Sequence, residues 1–191
     1  MRPEVADSAY VAPSAVVCGE VTLGEDVRVL FGAVLTAEGG PVEIGDRCIV
    51  MENAVVRGRE AHPVRLGDHV LVGPHAHVNG ATIEDDVFLA TGVSVFPGAR
   101  IGKGCEVRIN GVVHVNSALR AGVTVPIGWI AVGDPAELFP PEAHEQLWPI
   151  QRRMDFPGTV FGIERAELTM EKVARRYAER FGRHREDRVL E

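Results

Sequence analysis

From Val64 to Val107 the chain repeats itself every six residues, a period that few folds accept. Leu66, Val72, Val78, Ile83, Leu89, Val95, Ile101 and Val107 recur in step, with one step of five, and a small or β-branched residue sits two places ahead of each. A period of six is too long for the alternation of one strand and does not match the helical turn. It predicts short strands turning corners in a parallel β-helix, an all-β solenoid. Residues two apart on a strand share a face, so both columns point into one core. The stepping starts at Val11, runs through Val17, Leu23, Val29 and Leu35, resumes at Ile44, Val50 and Val56, and continues to Val113, Leu119 and Val125. The interruptions predict two excursions, near residues 36–43 and 57–65, and loops thrown out of a solenoid gather on a face where binding occurs.

At 191 residues the chain fits one solenoid body over residues 1–138 and a helical extension over 139–191. Apolar residues make up 46% but aromatics only 6%, which suits a narrow prism filled with Val, Ile, Leu and Ala. After Pro140 the pattern changes. PPEAHEQLWPIQRRM predicts a short helix, and further on Met170, Val173, Tyr177 and Phe181 form one apolar stripe at helical spacing. A net charge of −7 argues against a nucleic-acid-binding body. The first residues lack the charged and apolar regions of a signal peptide, no apolar run is long enough to span a membrane, and a cytoplasmic protein is expected. Cys48 and Cys105 fall in the inward column and Cys18 follows an inward Val17, which predicts buried reduced thiols.

Stacking turns sequence offsets into neighbours. One coil takes three hexads, and adjacent coils lie about 4.8 Å apart. Ile44 then stacks under Leu66, which sets Arg57 beside Asn79 on the outside, with Phe96 and His114 continuing that column. Val55, His77, Ser94 and Val112 form a second column beside it, so one face carries Arg57, His77, Asn79, Phe96 and His114. An outward Phe96 among polar groups predicts a subunit interface or a pocket wall. PHAH sets His75 and His77 two apart, a candidate metal pair unless the corner swings His75 away, with His62, His69, His114 or a neighbouring subunit's Glu52 as third donor. Gly102, Gly104, Gly122 and Gly128 read as tight corners rather than a phosphate cradle. His144 and His184 read as solvated, and Trp129 and Trp148 as packing residues.

The repeat, the two excursions, the VPIGWIAVGDPAEL ending and the terminal helix together resemble the gamma-class carbonic anhydrase-like family over about Val11 to Leu138. The resemblance implies a left-handed β-helix, a homotrimer and zinc sites between subunits. Residue by residue, the positions of the three zinc histidines hold Arg57, Pro74 and Asn79; the Arg-x-Asp pair used between subunits is Thr36 and Glu38; the Asn and Gln that support the metal water are Ile49 and Met51; and Glu52 stands for an Asp. Guanidinium and proline offer zinc no lone pair, and an amide oxygen is a poor one. The catalytic candidates are therefore Arg57, His77 and Asn79, with His75 and His77 as candidate ligands for a relocated Zn. Three functions stay open for such a trimer. The first is metal-assisted hydration or hydrolysis at a moved site. The second is coenzyme A-dependent acyl transfer with His77 or His114 as base, and the third is non-catalytic binding of a partner or small anion through Arg57.

Overall fold

A computed structural model describes residues 2–190; Met1 and Glu191, which bound the two predicted segments, lie outside the described residues. The chain winds as a left-handed parallel β-helix of about seven turns, followed by short helices. Strands of two to five residues stack into three faces of seven, seven and eight strands, each pairing with the strand a full coil away except the last, which folds back on its predecessor. The predicted register holds. Ile44 pairs with Leu66, Val56 with Val78 and Val78 with Val95, all in parallel.

The two inward columns form the core. Leu35, Val56, Val72, Val78, Leu89 and Val95 are all but inaccessible, and Cys48 and Cys105 sit among them at 0% exposure. All three cysteines are free and buried. Burial pushes the Cys48 thiol up to about 11, so it stays a protonated apolar filler. The corners explain the remaining letters of the repeat. At one edge, Asp46, Asp68 and Asp85 each accept the backbone N–H of the coil below, at 2.8–3.0 Å. Gly45 lies so close to the next coil that a Cβ would meet Asp68 Oδ1 at 2.6 Å.

The excursions lie on the third face, and there the strands run long. Val34–Glu38 pairs with Val55–Arg59 along its whole length, so Thr36 and Arg57 remain in the sheet and the chain leaves it at Gly39 and at Glu60. Arg59 and His62 then close a tight turn through reciprocal backbone hydrogen bonds.

Both ends of the third face are finished by antiparallel segments. Ala136–Phe139 folds back on Ile130–Gly133, and at the other end Cys18 bridges Val189 antiparallel. Between them three helices cross the face: α1 (His144–Arg153), α2 (Phe156–Phe161) and α3 (Met170–Gly182). Asp155 caps α2 by accepting from Gly158 N, and Thr169 caps α3 by accepting from Lys172 N. Leu147, Val160, Ile163 and Val173 are the buried anchors. The apolar stripe expected of α3 is buried only in part. Val173 is buried, but Met170 is 72% exposed, and Phe181 is exposed with its ring against Tyr177 and His184. Trp129 packs on the core, whereas Trp148 is exposed, stacked on His144 and covered by the Arg165 guanidinium. Among the described residues no helix is long and apolar enough to cross a membrane.

Candidate functional site

The third face sets Arg57 and Asn79 opposite each other on neighbouring strands, and His77 two residues before Asn79 on the same strand. All three project outward, because Val56 and Val78 between them point into the core. The arrangement is the one that stacking predicts. What stacking does not show is Glu38. This residue, two places beyond Thr36 on the next strand, is 4% exposed at its side chain and brings Oε2 to 3.2 Å from Arg57 Nε. Its other oxygen lies 3.9 Å from Nε of Arg180, on α3. The excursion expected from residue 36 begins only at Gly39, because the strand Val34–Glu38 keeps its pairing through Glu38 and so brings this carboxylate diagonally across from Arg57.

Several polar atoms here are buried without a hydrogen-bond partner: Glu38 Oε2, Arg57 Nε, His77 Nε2, Asn79 Oδ1 and Arg180 Nη1. Glu38 and Arg57 thus attract each other at ion-pair range without lining up a hydrogen bond. Arg57 keeps 32% of its side chain exposed, so the other edge of its guanidinium remains open to solution. Burial, and then the Arg57 charge, hold the His77 imidazole below its ordinary pKa, which keeps it neutral at neutral pH. The set can bind an anion bidentately at guanidinium, exchange hydrogen bonds with it through an amide, and offer it a neutral imidazole.

The rest of the predicted patch behaves differently. Phe96 is no free pocket wall: Phe156 of α2 covers it at 5.8 Å between ring centres. His114 is 5% exposed, packs against the same two rings as the third corner of an aromatic triangle, and accepts from the Gln151 amide of α1 at 3.0 Å. It is a packing histidine under the helices and cannot reach a substrate as a general base. The sequence gives little sign of its cover, since α2 is only six residues long and contains Pro157 and Gly158.

The proposed metal donors also separate. His75 occupies a corner at φ 57°, exposed, with its own N–H bonded to the Glu52 carbonyl at 3.0 Å, so it does not share the outward face of His77. His69 stands at a different corner, between Asp86 at 3.2 Å and Arg47 at 2.8 Å. His62 belongs to the tight turn beside Arg59. Among the described residues of one chain, no three His, Cys, Asp or Glu side chains gather as a metal group.

No family model matches the chain. Among curated proteins it is 28% identical over 151 residues to the mitochondrial gamma carbonic anhydrase 1 of Arabidopsis thaliana, covering 76% of this chain and 53% of that protein. It is 29% identical over 147 residues to a carbonic anhydrase of Methanosarcina thermophila, covering 66% and 56%. The chain is similar in sequence to the gamma carbonic anhydrases and shares the hexapeptide-repeat fold. It spans about half the length of the curated relatives it matches. Among solved structures, a Bacillus cereus protein described as a candidate acetyltransferase superposes with a TM-score of 0.54 over 94% of this chain and 92% of that one, at 22% identity, a likeness of fold alone.

For a gamma-carbonic-anhydrase-like chain the question is whether the residues in the zinc positions suit zinc, and they do not. Arg57 brings a fixed positive charge to the place of a ligand and is held there by Glu38. Pro74 lies on the corner between the second and third faces and has no donor. Asn79 contributes one amide oxygen. A guanidinium–carboxylate pair thus stands where the resemblance puts a metal.

Proposed function

We propose that this gamma-carbonic-anhydrase-like protein binds a small oxyanion, a monocarboxylate or bicarbonate, at Arg57, His77 and Asn79. The observation that carries the reading is Arg57. One edge of its guanidinium is tethered to Glu38 and the other is open. Beside it, Asn79 Oδ1 and His77 Nε2 are buried without partners; bicarbonate, with one donor hydroxyl and acceptor oxygens, would satisfy both, while a carboxylate would meet the guanidinium and a donating imidazole nitrogen. Glu38 offsets part of the local positive charge, which favours a monoanion over a phosphate dianion. The working unit of this reading is a homotrimer. Pro74 lines an apolar groove of about 480 Å³ on the second face, with Leu71, Phe88 and Ile109, and a second copy seated there would lie beside the corner that leads to the third face.

Calorimetric titration with acetate, bicarbonate and phosphate tests this. Acetate and bicarbonate are expected to bind more tightly than phosphate. Arg57→Gln is expected to abolish binding while light scattering reports an unchanged assembly; undiminished binding by that variant refutes the reading.

A second reading, metal-assisted hydration or hydrolysis, draws on His77, whose buried, unpartnered Nε2 is that of a neutral imidazole able to ligate. Its remaining donors would come from another copy, whose His75 sits on an exposed corner. Stoichiometric transition metal in protein purified without an affinity tag, lost in His77→Ala, would favour it. Acyl transfer has less support. Among the described residues His77 has no carboxylate partner to fix its tautomer for general-base work, and acetyl-coenzyme A titration tests the idea directly.

A further inference from the structure

Glu38 faces two guanidinium groups from different parts of the molecule. Oε2 lies 3.2 Å from Arg57 Nε on the sheet, and Oε1 lies 3.9 Å from Arg180 Nε on α3. With its side chain 4% exposed, the carboxylate has almost no water to fall back on. It nevertheless makes a well-aligned hydrogen bond to neither arginine, and Glu38 Oε2, Arg57 Nε and Arg180 Nη1 all remain buried and unpartnered. A carboxylate able to take a bidentate guanidinium is here held between two, completing a pair with neither. The Glu38–Arg180 recess is also lined by Glu60 and Arg183, and His184 Nδ1 lies 2.7 Å from Asp187 Oδ2.

We infer that Glu38 is a shared counterion through which α3 sets how much of Arg57 is free to hold an anion. With α3 docked, Arg180 draws on Glu38 and adds a positive charge, and Arg57 keeps an open edge. With α3 lifted, Glu38 is free to close on Arg57 and compete with the anion for it. Docking of α3 and anion binding therefore favour each other, and the coupling runs equally both ways. The functional sense of this coupling rests on the anion-binding reading above, but the contest for Glu38 exists without any anion. Arg180 and Glu38 are positioning residues in this scheme, since neither is required to touch the ligand.

Hydrogen–deuterium exchange over 170–182, measured without added anion, isolates the contest. Arg57→Gln leaves Glu38 wholly to Arg180 and should slow exchange of α3, whereas Glu38→Gln and Arg180→Gln should hasten it. Acetate titration of the same proteins then separates coupling from simple loosening. Arg180→Gln is expected to weaken acetate about fivefold, Arg180→Lys to restore most of that loss, and Glu38→Gln to tighten acetate although its helix is looser. A purely structural role would move both readouts in the same direction in both variants. Should Arg57→Gln leave α3 exchange as in the wild type, or Glu38→Gln and Arg180→Gln shift acetate the same way, the shared counterion is overturned. Should the exchange pattern appear while acetate fails to bind the unmutated protein, the counterion stands and the anion-binding reading falls.

Discussion

Three histidines of this chain carry imidazoles that burial holds below the ordinary value of 6.5, for three local reasons. His62 sits in the Arg59 turn, His77 beside Arg57, and His114 under the helices, where the backbone of Val115 pulls weakly the other way. Each therefore binds a proton more readily in the unfolded chain than in the folded one. Stability should rise with pH across this window, and be lost as pH falls from 6.5 through the lower folded values. Thermal melts are expected to be flat above about pH 7 and to fall below it, ahead of the carboxylate range. His77→Gln should shallow that fall; an unchanged slope would deny His77 its part. At this scale the sequence is informative where inward residues anchor both sides of an excursion. The coil from Val56 to Val78 carries the whole second excursion, and because Ile44 stacking on Leu66 fixes how much that excursion adds, Arg57 beside Asn79 can be read from the spacing. Glu38 cannot, because the Thr36–Pro41 stretch looks like a loop by composition yet keeps ladder pairing as far as Glu38.

The elements tell a similar story about local against tertiary signals. The strands were legible because each hexad carries its own inward pair, and α1 and α3 because their apolar spacing is helical. The stretch around α2 carries no such pattern: Asp155, Pro157 and Gly158 look like a turn, and only the cap at Asp155 and contact with Phe96 and His114 make it helical. Asn116 ties that stretch down. Its side-chain amide donates to the Met154 carbonyl at 3.0 Å and to Thr159 Oγ1 at 2.9 Å, and its backbone sits at φ 54°, a region asparagine tolerates better than most residues. Asn116→Ala loses both bonds and strains the corner, and should cost about 2–3 kcal/mol by chemical denaturation. A cost near zero would mean that the rings alone seat the helices.

The molecule as a whole leaves one face unfinished. Third-face strands are roofed by helices, but the second face shows Tyr10, Phe31, Phe88, Ile109 and Ile127 to solution, Ile127 at 63% exposure. Such an apolar strip on a folded chain asks for a cover, and the trimer proposed here supplies a second copy. Ile109→Glu should yield a folded monomer in light scattering with the far-ultraviolet spectrum of the parent; a persistent trimer would place the contact elsewhere. Antiparallel closure at both ends of the third face has a different outcome. A parallel stack with open ladders would accept another stack at either end, and molecules could join nose to tail without limit. Ala136–Phe139 at one end and the Val189 bridge at the other present the wrong strand direction to any incoming coil. Growth along the axis is thereby discouraged, and the chain can expose a sticky flank for finite assembly without becoming a seed for filaments.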